Sequence, residues 1–118
     1  MTKGFTISPS IYPFPIHIYY GVEKDAHKFF KSTLEKGDHK NIKEFFTGTY
    51  NARTCQTTYS GIALHFKRIS PNLIAHEMFH CVELIFEKIG MFLNDETSEA
   101  WAYYLGYLVE QVYLNLYD

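Results

Sequence analysis

Cysteine is scarce in this chain of 118 residues, which carries only Cys55 and Cys81. A small secreted domain stapled by bridges would carry more, so both are read as free thiols of a reducing compartment. Basic runs are short as well. None exceeds Lys67-Arg68, and the formal net charge is −2 with a pI near 6.3, which leaves out the broad cationic footprint of a nucleic-acid binder. Long apolar runs are missing too. The N-terminal stretch MTKGFTISPSIYPFPIHIYYG is broken by Pro13, Pro15 and His17, so neither an export signal nor a membrane span is expected. The cytoplasm is the expected location. With no internal repeat, low-complexity tract or linker, residues 1–118 read as one domain.

Apolar and aromatic residues are plentiful, at 47% hydrophobic and 18% aromatic, with ten Tyr and ten Phe. That is enough to bury a core and too much for a disordered chain. Pro15 to Val22 alternates Ile16, Ile18 and Tyr20 against His17 and Tyr19, a strand pattern closed by Gly21. Glu23 to Lys36 repeats Ala26, Phe29, Phe30 and Leu34 at helical spacing and stops at Gly37. Residues 38–51 read as a connection of undefined shape. Arg53–Tyr59 and Ile62–Arg68, parted by Ser60-Gly61, predict a hairpin. In its second strand Ile62, Leu64 and Phe66 face one way, and Ala63, His65 and Lys67 the other.

Ser70-Pro71 then predicts a helix start, with Ser as N-cap and Pro at the first helical position. That helix runs to about Ile89 and ends at Gly90. A last helix is expected from a cap at Asn94 or Asp95 to about Leu114. The fold class is α+β, with a small antiparallel or mixed sheet packed on the motif helix and a C-terminal helix.

The motif is His76-Glu77-Met78-Phe79-His80, an HExxH sequence inside the capped helix. Histidines four apart share a helix face, so both imidazoles can reach one ion. Glu77 projects to a neighbouring angle, where it can hold a water without ligating the ion. A catalytic zinc takes three protein ligands and keeps one open position. Glu99, from the next helix, is the expected third ligand. Eighteen residues separate it from His80, and Ala100 and Ala102 allow close helix approach. Three rivals stand beside it: Glu96 one turn earlier, Glu83 on the histidine face but a turn beyond the point between the two rings and so better placed to support a ligand than to be one, and His65 on the preceding strand. Cys81 points roughly 100° away from His80 around the helix and reads as core.

HEMFH followed by Glu99 in the run LNDETSEAWAYY resembles the gluzincins, and Glu99-Ala100-Trp101-Ala102 is similar to the run in which their aminopeptidase N-like branch sets its ligating Glu. Over Ile62 to Gln111 the chain also resembles small, stand-alone, phage-encoded metallopeptidases, whose zincin core is reduced to little more than a hairpin and two helices. The resemblance implies a minimal zincin-like fold and one Zn2+ held by His76, His80 and Glu99. It also implies peptide-bond hydrolysis of a peptide or protein substrate, with Glu77 as general base. In a phage, the setting would be the host cytoplasm.

Two family features are missing. The GxMEN run of the aminopeptidases does not occur in residues 1–118, and a downstream helical domain with a Tyr or His to steady the transition state is not expected; Glu23, Glu44 or His65 are the candidate stand-ins. The alternative is a catalytically inactive zinc-binding structural or interaction protein that retains the fold. Ile62–Arg68 is the expected edge for pairing an extended substrate. His17, His27 and His39 read as surface or strand-edge residues. Trp101, Tyr103, Tyr104, Tyr107 and Tyr113 give the last helix an aromatic surface, read as core or as a homodimer face, and nickel or cobalt would suit the same ligands as zinc. Gly106, in mid-helix, predicts close packing against a neighbour.

Overall fold

Two short apolar strands make the centre of the molecule. The computed structural model describes residues 2–9 and 11–117. In it β1 (Lys3–Ile7) pairs antiparallel with β2 (Ile16–Tyr20), β2 pairs in parallel with β4 (Ile62–Phe66), and β4 pairs antiparallel with β3 (Ala52–Gln56). The sheet is therefore mixed, in the order β1-β2-β4-β3. Between β2 and β3 lie α1 (Glu23–Thr33), a 3-10 turn (Lys36–Asp38) and α2 (His39–Phe45); after β4 come α3 (Pro71–Lys88) and α4 (Ser98–Tyr117). The class is α+β, as the sequence predicts.

Successive residues of a strand point to opposite faces of its sheet, and β4 feeds two cores. Ile62, Leu64 and Phe66 pack with Ile74, Met78, Val82 and Phe86 of α3 and with Trp101 and Leu108 of α4. Ala63 packs on the other side with Ala26 and Phe30 of α1 and Ile42 and Phe45 of α2. The sheet is thus a middle layer with a helix pair on each face. Fully burying an Ile, Leu or Phe stabilises a fold by roughly 1.5–3 kcal/mol, so β4, buried at all five positions, contributes out of proportion to its length.

Helix α3 begins and ends where its chemistry predicts. Ser70 accepts a hydrogen bond from the Leu73 amide at 3.1 Å, and Pro71 takes the first position. At the far end Gly90 adopts φ +76°, the left-handed conformation that glycine accepts without a Cβ penalty. Gly61 is constrained more tightly. It has φ +88°, and a Cβ there would lie 2.3 Å from the Pro15 carbonyl oxygen.

Several expectations change. β4 is an interior strand, because β2 occupies its other side; the free edge next to α3 is β3. Residues 38–51 contain α2, whose Ile42 and Phe45, with Phe46 beyond it, bury at helical spacing. α1 ends at Thr33 rather than near Lys36, since Leu34 leaves the helix to bury. α4 starts at Ser98, because the Asn94 side chain caps a separate turn by accepting from the Glu96 and Thr97 amides. His17 is buried rather than at the surface, bonded to Thr6 Oγ1 and the Ser60 carbonyl. Trp101 and Tyr104 belong to the core, whereas Tyr103 is 77% exposed. Among the described residues no helix is long and apolar enough to cross a membrane.

Gly106 is also misread by its sequence context: it is exposed, and a Cβ there would meet nothing within 4 Å. Glycine in a helix interior costs ~1 kcal/mol against alanine. Gly106→Ala is therefore expected to raise stability by about 0.5–1 kcal/mol in urea denaturation; a loss of stability would contradict this placement.

Candidate metal centre

The face of α3 that carries Ile74, Met78, Val82 and Ile85 is buried, and this leaves His76 and His80 on the outer side of the helix. Their side chains are 61% and 43% exposed. The Nε2 atoms of the two rings stand 3.2 Å apart. Two ligands bonded at ~2.0–2.1 Å to one tetrahedral ion are separated by about 3.3–3.4 Å, so the pair has close to the spacing a shared ion needs. The same separation also suits one imidazole donating to the other.

A carboxylate decides how His80 presents itself. Its Nδ1 lies 3.3 Å from Glu83 Oε1. If Nδ1–H donates to Glu83, the Nε2 lone pair is left facing His76, and a carboxylate behind a histidine in this way fixes both tautomer and ring orientation.

Glu77 lies between the helix and the sheet, only 5% exposed. Thr54, on β3, donates a 2.7 Å hydrogen bond to its Oε1. Its other oxygen, Oε2, lies 3.6 Å from His76 Nε2, inside ion-pair range of that ring whenever it is charged. The cleft is lined further by Ala52, Arg53 and Leu84 and encloses about 380 Å³. Arg53 is not free within it, since its guanidinium donates to the Phe45 carbonyl at 3.0 Å and lies 4.3 Å from the Tyr50 ring centre.

Of the residues singled out by sequence, His76, Glu77, His80 and Glu83 come together. Glu99 lies in the first turn of α4, exposed, and outside the lining of the cleft. It sits about 200° around that helix from Trp101, the residue that packs on Phe79 and Phe86 of α3. Among the described residues no three His, Cys, Asp or Glu side chains are gathered as a metal-holding group. Glu96 is exposed in the turn before α4. Cys81 is fully buried in the core, and that burial pushes its thiol well above the usual range.

His65 belongs to the other face of the sheet. It is fully buried, with Nδ1 2.8 Å from Tyr50 Oη and Nε2 2.8 Å from the Gly21 carbonyl. Glu23, at the start of α1 and 3.8 Å from Lys67, and Glu44, exposed on α2, belong to that side as well. None of these three lines the histidine cleft. Thr54 was not singled out from sequence. Only the β3–β4 register, with Thr54 opposite Leu64, puts its hydroxyl on the α3 side. No protein family, curated protein or solved structure matches this chain.

Burial lowers the pKa of both His17 and His65 below 6.5, against the opposing pull of their carbonyl partners. The unfolded chain therefore binds these protons more readily than the folded one. Their contribution to stability is complete above pH ~6.5 and is lost as pH falls through the lower folded-state values. Metal-free protein is expected to lose urea resistance as pH falls below about 6.5; a flat profile on that acid side would contradict the burial of neutral imidazoles.

Proposed function

We propose that this chain is a zinc-dependent metallopeptidase, a reduced zincin of the gluzincin type acting on peptide or protein substrates. The observation that carries the proposal is the His76–His80 Nε2 pair, at a spacing suited to one ion, beside a buried Glu77 tied to the edge strand. Zinc, when bound, supplies Lewis acidity toward the scissile carbonyl and makes a nucleophilic water available at neutral pH.

This chain's own residues divide the remaining work. His76 and His80 bind through Nε2, and Glu83 holds the His80 ring in place through Nδ1. Glu99, exposed on the first turn of α4, is the proposed third ligand. Glu77 is the general base. Its Oε1 is engaged by Thr54, so Oε2, the oxygen facing His76, takes the proton from the attacking water and delivers it to the leaving amine. The unpaired edge of β3 aligns an extended peptide by main-chain hydrogen bonds, with Thr54 at the centre of that strand.

Glu77→Gln is expected to keep one equivalent of zinc and to lower hydrolysis of an unstructured protein substrate by roughly 10²–10⁴-fold. Full hydrolysis by that variant would remove Glu77 from the mechanism. Zinc-loaded wild type without hydrolysis would favour the non-catalytic zinc-binding reading.

Zinc titrations separate the carboxylates. Glu99→Ala is expected to abolish stoichiometric binding, while Glu83→Ala weakens it by about 10–100-fold, as loss of a ligand-orienting partner does. Unchanged binding in Glu99→Ala alongside complete loss in Glu83→Ala would move the third ligand to Glu83.

A further inference from the structure

Beyond the histidine cleft, on the opposite face of the sheet, α1 and α2 enclose a groove of about 600 Å³. Lys28 and Lys31 stand on the α1 wall, Lys40 and Lys43 on the α2 wall, and Lys36 at the turn between them, above a floor that includes Ile42. Five of the nine lysines in the chain thus line one concavity. Among the described residues none of the five forms an ion pair.

With these five set aside, six Lys and Arg face thirteen Asp and Glu over the rest of the sequence. The positive charge is concentrated here in an otherwise acidic chain. Like charges three or four residues apart on a helix repel one another. Lys28 with Lys31 on α1 and Lys40 with Lys43 on α2 have that spacing, a local like-charge repulsion that a bound anion would relieve.

The groove is held in shape before any ligand arrives. Asp38, 1% exposed, accepts hydrogen bonds from the amides of Thr58 and Tyr59 and from the Ser60 hydroxyl. The Ser60 hydroxyl in turn accepts from the Glu35 amide at 2.8 Å. The His39 ring is bonded to the Leu34 carbonyl at 3.0 Å. These contacts fasten the α1–α2 turn to the hairpin loop, and such preorganisation lowers the cost of binding.

We propose that this groove binds a compact polyphosphate anion through its triphosphate chain. Its volume lies in the range of small-molecule sites, ~300–1,000 Å³, and lysines from both walls line it. A nucleic-acid strand is the weaker occupant. The lysines surround one concavity instead of forming a stripe, and the lining contains no Tyr, Phe or Trp on which bases could stack. Its imidazoles do not supply a free platform either, since the His27 ring packs on Phe46 at 3.8 Å between centroids.

Titration calorimetry with inorganic triphosphate, ATP and a short DNA duplex tests the proposal. One saturable equivalent of triphosphate is expected, weakened roughly tenfold or more in Lys31→Ala/Lys40→Ala and unchanged in His80→Ala. These lysines are exposed, and Lys28→Gln/Lys43→Gln serves if the first double variant fails to fold. ATP binding more tightly than inorganic triphosphate would identify a nucleotide as the source of the chain, whereas equal or weaker binding would identify the inorganic anion; both support the site. The proposal is overturned by no saturable binding up to about 5 mM, by affinity indifferent to the lysine substitutions, or by binding lost in His80→Ala, which would place the anion on the histidine pair. It is equally overturned by a duplex that outcompetes triphosphate at equal site concentration.

Discussion

Everything in this fold is arranged around a strand that has no solvent-facing side. All five residues of β4 are buried, and its flanks are occupied by β2 in parallel and β3 in antiparallel pairing. A strand hidden on both faces requires a layer of helices above and another below. α3 and α4 meet the first need, α1 and α2 the second. The same constraint pushes β3 to the margin of the sheet, beside α3, and sends alternate side chains of the hairpin to different chemistry. Thr54 meets Glu77 on one side, while His65 bonds to Tyr50 on the other.

The α3 face illustrates how one helix serves packing and chemistry together. Met78, Cys81, Val82 and Ile85 are 1% exposed or less, and the helical repeat then obliges His76 and His80 to point outward. Glu77 falls between these extremes. A carboxylate so buried needs a partner, and the Thr54 hydroxyl provides one from the sheet edge. The bond binds helix to strand and aims the second carboxylate oxygen at the histidine pair.

Much of this was legible in the sequence because it is local. The HExxH spacing, the Ser70-Pro71 start and the Gly90 stop depend on residues within a few turns of each other, and the helix they predict is the one found. The alternation of Ile62, Leu64 and Phe66 against Ala63 and His65 likewise predicts the division between the two cores. Non-local facts were not legible. Ile62–Arg68 reads as an edge because nothing in those residues announces the parallel partner Ile16–Tyr20, which lies more than forty positions away. The burial of His17 depends on the Ser60 carbonyl, supplied by the hairpin loop. Asp38 reads as one charge in a polar connection, yet it is buried because three donors of that loop meet there. The Glu99 assignment rests on spacing and resemblance, and neither specifies which way the first turn of α4 will face.

The β3–β4 hairpin is shared by both proposed sites. At its loop end, Ser60 and the amides of Thr58 and Tyr59 anchor the turn that carries Lys36. Along its outer strand, Thr54 anchors Glu77. A shared element invites the idea that occupancy of the lysine groove alters the histidine cleft. Coupling of that kind requires an element with two arrangements that both ligands bias. The hairpin shows one arrangement, held at three points: a Cβ at Gly61 would collide with the Pro15 carbonyl, Asp38 accepts from three loop donors, and β4 is paired on both sides. A rigid support positions both sites without transmitting between them, so the physics of this fold favours two independent sites on one scaffold.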